Sequence, residues 1–239
     1  MLRRCDLTTC STDELAAHIQ GDAPLIVCHA AGRSQDASQV YVDGARVIAN
    51  ACERAGPSRV IYTSSTSALP DISGVVDETE SRWPDLPRGR VQRQAEQTLH
   101  EGLTRANVPL TILRLAGLYG PGRDLRRLYL RDPSTTIGGD GMEATNLVHV
   151  EDAVAAVLAA VTRVPPYAGL VHVCDEDHTP RRMMIQRVCH AAGARGPAFA
   201  AAAPTSGATR GKRVVSTRLG PVLGVELRHP HRDFQFDSD

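Results

Sequence analysis

The chain of 239 residues is 42% hydrophobic but only 4% aromatic, so its core is expected to consist mainly of aliphatic side chains. The charges of its 27 basic and 27 acidic residues cancel, so the formal net charge is zero. This balance lacks the basic excess that nucleic-acid and membrane-surface binding usually require, so we predict neither kind of partner. No segment approaches the roughly 20 apolar residues of a membrane span. Six cysteines without C-x-x-C spacing favour reduced thiols in a cytoplasmic protein.

Helical and strand patterns alternate along the chain. Apolar residues recur at helical spacing in five segments, at 13–20, 36–55, 88–106, 151–163 and 180–193. Buried strands are predicted from short apolar runs, at 24–31, 58–65, 109–116 and 169–174. Loops are predicted at 66–87, 120–145 and 196–211, and short helix with coil at 212–239.

The alternation of strands with helices predicts βαβ units around a parallel sheet. We therefore predict one α/β domain over residues 1–239, with a Rossmann-type doubly wound parallel sheet. Residues 120–147 and 176–239 are predicted to form a small substrate-side lobe. Ligands of such sheets bind at the carboxyl ends of the strands. In this chain those ends lie at 29–32, 63–65 and 115–117.

Three segments of the chain together resemble the extended short-chain dehydrogenase/reductase family. They read LIVCHAAG at 25–32, VIYTSSTSALPD at 60–71 followed by VDET at 76–79, and LRLAGLYGPGR at 113–123 followed by NLVHVEDAVAAV at 146–157. The resemblance runs from about residue 5 to about residue 232. The segment GKRVVSTRLGPVLGVELRHP at 211–230 is similar to an atypical branch of the family, the NAD-dependent epimerase/dehydratase-like proteins.

The resemblance implies that NAD or NADP binds at the carboxyl edge of the sheet, with a small-molecule substrate beside it. The residues that it implies for the cofactor are Ala30, Ala31, Gly32, Thr63, Ser64, Leu115, Ala116 and Gly117. The residues that it implies for the substrate are Arg88, Arg123, Asn146 and His149. Ser65 takes the position of the catalytic hydroxyl, although a serine at a strand end also serves to satisfy backbone groups. For the two arginines, a solvated surface position is the alternative to holding an anion.

The glycine-rich turn that holds the cofactor's pyrophosphate in this family has no counterpart in the sequence. The segment GLYGPG at 117–122 lacks the G-x-G-x-x-G spacing, and Pro121 disfavours the start of a helix there. The chain begins at what resembles the end of the family's third strand. We therefore expect the natural reading frame to start upstream, by roughly 50 residues. Otherwise we expect the chain to be unstable or to form homo-oligomers, because the apolar strand at 24–30 has an unpaired edge.

The catalytic Tyr–Lys pair of the family is also missing. In active members the Tyr exchanges a proton with the substrate, and a Lys four residues later lowers the pKa of that Tyr. These positions fall on Arg88 and Gln92, and Lys212 is the only lysine in the chain. We therefore expect weak or no standard redox activity.

Taken together, these features predict a NAD-dependent epimerase/dehydratase-like protein that acts on or binds a small metabolite. Two alternatives stay open: a non-redox protein that binds a nucleotide or metabolite, and a non-redox enzyme that uses Ser65 and Arg88 on the same scaffold. No metal site is predicted, because the histidines and cysteines lack a second pair at zinc-like spacing.

Overall fold

Strands and helices alternate through most of the computed structural model, which describes residues 5–32, 34–130, 132–202, 209–230 and 232. Within these residues the strands are β1 (Pro24–Val27), β2 (Arg59–Ser65), β3 (Gly74–Val76), β4 (Leu110–Leu115), β5 (Gly117–Tyr119), β6 (Thr136–Ile137), β7 (Leu147–His149), β8 (Gly169–Val173), β9 (Ala198–Phe199) and β10 (Lys212–Val214). The α-helices are α1 (Thr12–Ala16), α2 (Gly44–Ala55), α3 (Pro87–Arg105), α4 (Leu125–Tyr129), α5 (Val150–Thr162), α6 (Arg181–Ala191) and α7 (Leu219–Leu223). A π-helical turn at Gln39–Asp43 leads into α2, and a 3₁₀ turn at Thr66–Ala68 follows β2.

The central sheet has four parallel strands in the order β1–β2–β4–β8. Each strand predicted from an apolar run belongs to this sheet, which confirms the Rossmann-type α/β fold. The first strand is shorter than predicted, because β1 ends at Val27 and residues 28–32 form a loop. Strand β2 continues beyond this point and pairs only with β4 over Thr63–Ser65.

Helices cover both faces of the sheet, and the side chains of β2 show the alternation that makes this possible. Val60 and Tyr62 pack with residues of α2 and α3, whereas Ile61 packs with residues of α5 on the opposite face. In β1 the same alternation buries Val27 in the core with α2 and leaves Ile26 45% exposed. The doubly wound arrangement therefore follows from the two-residue period of the strands.

The predicted helices form with small changes of boundary. Helix α1 ends at Ala16, several residues earlier than predicted, because it buries no side chain that would hold a further turn. The segment predicted as one helix at 36–55 begins with the π-helical turn before α2. None of the helices among the described residues is long and apolar enough to cross a membrane.

Short parallel strand pairs lie beyond the central sheet: β3 with β10, β5 with β7, and β6 with β9. The prediction of loops is wrong for β3, β6, β9 and α4, and the prediction of helix and coil is wrong for β10. Strands of two or three residues are too short to show a period, and each of these pairs with a strand distant in the chain. Residues 203–208, 231 and 233–239 of the predicted lobe lie outside the described residues.

Hydrogen-bonded carboxylates hold the C-terminal segment against the rest of the fold. Glu78 accepts hydrogen bonds from the Ser216 hydroxyl at 2.6 Å and from the Thr217 amide and hydroxyl at 2.9 Å each. Burial opposes ionisation of Glu78, but these hydrogen bonds outweigh it and lower its pKa to about 2. Arg232 donates to both oxygens of the buried Asp175, at 2.9 and 3.0 Å. The C-terminal segment therefore returns to the carboxyl end of β8.

A buried ion pair joins α3 to the central sheet. Arg114 of β4 donates to the two carboxylate oxygens of Glu96 in α3, at 2.9 and 2.7 Å. Ser64 of β2 donates to the same carboxylate at 2.6 Å. The side chains of Arg114 and Glu96 are only 1% and 4% exposed, so the charge of Arg114 relies on Glu96 in place of water. Arg93 also donates to the Glu96 carboxylate, at 3.4 Å. One helix and two strands are thereby held together at the carboxyl half of the sheet.

Replacing Glu96 with Gln is expected to lower the free energy of unfolding by about 3–5 kcal/mol, because the Arg114 guanidinium stays charged and buried without its counter-charge. Urea unfolding followed by circular dichroism measures the change. The control is Asp43→Asn, which breaks the exposed pair with Arg46 and is expected to cost less than about 1 kcal/mol. Equally small losses in the two variants would show that the buried pair does not hold the fold together.

Candidate ligand-binding site

The three loops predicted to contact a cofactor meet at one edge of the central sheet. The register of the parallel strands brings them together, since Val27 lies beside Tyr62 and Ser65 lies beside Leu115. The side chains at this edge are small. Ala30, Gly32 and Gly117 are exposed, whereas Ala31 and Leu115 are partly buried and Ala116 is buried.

The hydroxyl groups of β2 are directed to partners within the protein. Thr63 donates to the Val27 carbonyl at 3.3 Å, and Ser64 donates to Glu96. The Ser65 hydroxyl oxygen accepts the Ser67 N–H at 3.1 Å and so caps the 3₁₀ turn. Among the described residues, none accepts a hydrogen bond from the Ser65 hydroxyl, so its proton is available to a ligand.

The backbone N–H groups after β1 also have internal partners. The Ala31 N–H donates to the Tyr41 hydroxyl at 3.1 Å, and the Gly32 N–H donates to the Gln35 side chain at 2.7 Å. A pyrophosphate needs several free N–H donors, and the N–H groups of Ala31 and Gly32 are not free.

The start of α3 packs directly against the turn that follows β2. A Cβ at Gly89 would overlap the carbonyl oxygen of Ser67, so only glycine permits this approach. Arg88 is exposed beside this contact, and Gln92 is buried one turn later. Arg88 and Gln92, which the resemblance predicts at the positions of the Tyr–Lys pair, therefore lie in the first turns of α3, the helix that packs against the turn after Ser65. Neither side chain can exchange a proton, because the Arg88 guanidinium stays charged and the Gln92 amide is neutral.

A cavity of about 230 Å³ opens beside the carboxyl end of β4. Its lining includes Gly117, Arg123, Leu128, Tyr129, Arg181 and Ile185. Arg181 begins α6, and sequence analysis missed it because no local pattern marks the start of that helix as part of a site. The guanidinium groups of Arg123 and Arg181 form no hydrogen bond or ion pair with a described residue. The cavity thus combines two predicted residues, Gly117 and Arg123, with a second free cation.

Asn146 and His149, predicted to bind substrate, are not among the residues that line this cavity. The Asn146 amide donates to the Lys212 carbonyl at 2.9 Å and accepts the Val214 N–H at 2.8 Å, which ties β10 to the residue before β7. His149 caps α5 by accepting the Glu151 N–H on Nδ1 at 3.3 Å. Both side chains therefore make hydrogen bonds within the protein, Asn146 to β10 and His149 to the first turn of α5.

The fold and this crevice define a Rossmann-type α/β protein with its ligand edge at the carboxyl ends of parallel strands. The family model for the NAD dependent epimerase/dehydratase family matches residues 2–169. Protein YeeZ of Escherichia coli (strain K12) is 30% identical over 233 residues, covering 96% of this chain and 80% of the relative. The chain therefore belongs to the NAD-dependent epimerase/dehydratase family, which confirms the resemblance found in the sequence.

Other relatives are enzymes of varied chemistry. The 3-diazoavenalumate denitrifying reductase of a Streptomyces species is 28% identical over 218 residues, covering 81% of this chain and 68% of the reductase. The structure of MoeE5 in complex with UDP-glucose and NAD superposes with a TM-score of 0.79 and 21% identity, covering 95% of this chain and 80% of MoeE5. The structure of UDP-glucuronic acid 4-epimerase from Bacillus cereus in complex with NAD superposes with a TM-score of 0.74 and 19% identity, covering 94% of this chain and 74% of the epimerase. Because these sequence identities are low, the two structures show only that this chain shares their fold.

Replacing Asn146 with Ala is expected to lower the free energy of unfolding by about 1–3 kcal/mol, because a backbone carbonyl and a backbone N–H of β10 lose their partner. Chemical denaturation measures the loss. Asn50→Ala, at an exposed position of α2, is the control and is expected to change stability by less than about 0.5 kcal/mol. If Asn146→Ala left stability intact and weakened only ligand binding, Asn146 would be a ligand contact and not a structural tie.

Proposed function

We propose that this protein binds an anionic small metabolite of the nucleotide-sugar class beside a NAD(P) cofactor, with weak or no hydride-transfer activity of its own. The observation that carries the proposal is the pair of guanidinium groups of Arg123 and Arg181, which have no hydrogen-bond or ion-pair partner in the described part of the chain and line one cavity at the carboxyl edge of the sheet. Membership of the NAD-dependent epimerase/dehydratase family supports the kind of cofactor and the small-molecule substrate.

The charge of the cavity favours a phosphate or carboxylate. A guanidinium group presents two parallel N–H donors, which match the oxygens of either anion. The apolar wall formed by Leu118, Leu128 and Ile185 lowers the local dielectric and so strengthens these contacts. A volume of about 230 Å³ is below the roughly 300–1,000 Å³ of complete small-molecule sites. We infer that the cavity holds the anionic part of a longer ligand.

The complexes of structural relatives suggest what that ligand is. MoeE5 was captured with UDP-glucose and NAD, and with UDP-glucuronic acid and NAD. A nucleoside diphosphate sugar carries the two adjacent phosphates that two guanidinium groups would bind. This is a proposal by analogy for the present chain, supported by its own pair of arginines.

One of the flat rings of the bound NAD(P) would lie against the edge formed by Ala30, Gly32 and Gly117, because these residues have small side chains or none. When bound, the cofactor supplies the capacity to accept or donate a hydride. The chain's own residues supply a hydrogen-bond donor in Ser65 and a positive charge in Arg88, but no group that shuttles a proton. Positioned acid–base groups usually contribute about 10²–10⁴ in rate, and we propose that their loss leaves binding with little redox turnover.

A non-redox enzyme is the second candidate, favoured by the free Ser65 hydroxyl beside the start of α3. In that case the hydroxyl would polarise a bound carbonyl while Arg88 held a nearby anion. The contact between the start of α3 and the turn that follows Ser65 supports this assignment, and the anion cavity would serve the same substrate.

Titration of the purified chain with UDP-glucuronic acid, followed by calorimetry, tests the proposed function. Arg123→Ala and Arg181→Ala are each expected to weaken binding about 10–100-fold, since a charge-assisted hydrogen bond contributes about 1.5–3 kcal/mol. Arg127→Ala removes the same charge from an exposed position of α4 that does not line the cavity, and is expected to leave affinity within about threefold. Absence of binding by the unaltered chain, or an equal loss in all three variants, would refute the proposed site.

A further inference from the structure

Three side chains with metal-binding chemistry meet at the start of α5. His149 ends β7, Glu151 lies in the first turn of α5, and His229 comes from the C-terminal segment after α7. One nitrogen or carboxylate oxygen from each lies within 4.8 Å of the other two. His229 Nε2 is 3.1 Å from Glu151 Oε2, and the two imidazole rings lie 3.7 Å apart between centroids.

The position of His229 is fixed by a buried carboxylate. Asp152 is fully buried and accepts the backbone N–H groups of Arg228 and His229, at 2.8 and 3.0 Å. This contact holds the C-terminal segment against the first turn of α5. The backbone of His229 is therefore held in place by Asp152, so its side chain lies at the cluster as part of the folded structure.

The orientation of His149 leaves one ring nitrogen directed at the cluster. Its Nε2 faces Gly120, where an added Cβ would lie 2.5 Å away and where φ is +116°. Its Nδ1 faces Glu151 and accepts the N–H of that residue, which places the lone pair of the neutral ring on Nδ1. The packing of Tyr119 against the ring, at 5.1 Å between centroids, fixes this orientation.

We propose that His149, Glu151 and His229 bind one Zn²⁺ ion, through His149 Nδ1, the Glu151 carboxylate and His229 Nε2. The ion would take the single Nδ1 lone pair from the Glu151 N–H, whose hydrogen bond to it is long at 3.3 Å. Imidazole nitrogen and carboxylate oxygen are ligands that zinc accepts at about 2.0–2.2 Å, which puts neighbouring donor atoms about 3.3 Å apart in a tetrahedron. The distance between His229 and Glu151 already matches. The Glu151 and His229 side chains are 54% and 34% exposed, so both can move toward His149, and water takes the fourth position.

The charges around the cluster are balanced for a cation. The N-terminus of α5 and the Arg228 side chain place positive charge nearby, which opposes the binding of a metal ion. The carboxylates of Glu151 and Asp152 offset this charge, and the two imidazoles are neutral when they coordinate. Binding would fasten the C-terminal segment to α5, beside the turn at 120–123 that carries Arg123. The sequence predicted no metal because it shows no second histidine or cysteine pair at zinc-like spacing, whereas this cluster joins residues 78 positions apart, Glu151 and His229.

Calorimetric titration of the chelator-treated chain with ZnCl₂ tests the site. The unaltered chain is expected to bind one Zn²⁺, and Glu151→Gln and His229→Ala are each expected to weaken binding at least tenfold. His100→Ala, which removes an exposed histidine of α3 outside the cluster, is the matched control and is expected to leave the affinity unchanged. Thermal melting of the metal-free variants checks that they fold, which is expected because both altered side chains are substantially exposed.

Cobalt substitution gives an independent readout. A Co²⁺ ion bound by two imidazoles, one carboxylate and water is expected to show the intense visible absorption of four-coordinate cobalt, and this absorption should be lost in His229→Ala. Zinc binding that is non-stoichiometric, or that is equally strong in the Glu151→Gln/His229→Ala double variant, would overturn the proposal.

Discussion

The buried ion pair between Glu96 and Arg114 is the interaction on which the geometry of the site depends. It fixes α3 against β2 and β4, and Ser64 completes the same contact from the strand that ends in Ser65. With α3 held there, its first turn must lie against the 3₁₀ turn after β2. The ion pair therefore holds the start of α3 against the loops that the strand register brings together, because neither buried charge can exchange its partner for solvent.

The residues that shape the crevice are different from those that would carry out the chemistry. The shape of the crevice comes from the core, the small residues at the strand ends and the hydrogen bonds that engage Thr63 and Ser64. The chemistry of an active family member would come from two further side chains, and the resemblance of the sequence predicts Arg88 and Gln92 at those positions. Such a protein can keep the fold of the NAD-dependent epimerase/dehydratase family while acid–base catalysis is lost, because the two features rest on different residues.

The sequence predicted the four central strands and the longer helices well, because each strand is a continuous apolar run and each helix repeats apolar residues at helical spacing. It missed β3 and β10, which have three residues each and form only because they meet across the chain. The same limit applies to the site. Ser65 ends β2 and Gly117 follows shortly after β4, so both could be predicted, whereas Arg181 and the ties made by Asn146 depend on packing between distant segments. Local sequence patterns do not indicate contacts between distant segments, so these contacts are seen only in the structure.

The central claim, that the protein binds a nucleotide sugar without the usual hydride transfer, is tested most directly by monitoring reduced cofactor. The purified chain is mixed with NAD⁺ or NADP⁺ and UDP-glucuronic acid at concentrations shown to saturate binding. The absorbance of the reduced nicotinamide is followed, and chromatography measures conversion of the sugar to its 4-epimer, because an epimerase returns the hydride to the sugar and accumulates no reduced cofactor. We predict a bound complex with no appreciable formation of NADH, NADPH or the epimer. Sustained turnover by the unaltered chain would contradict it, since Arg88 and Gln92 provide no proton-transfer group to support that reaction.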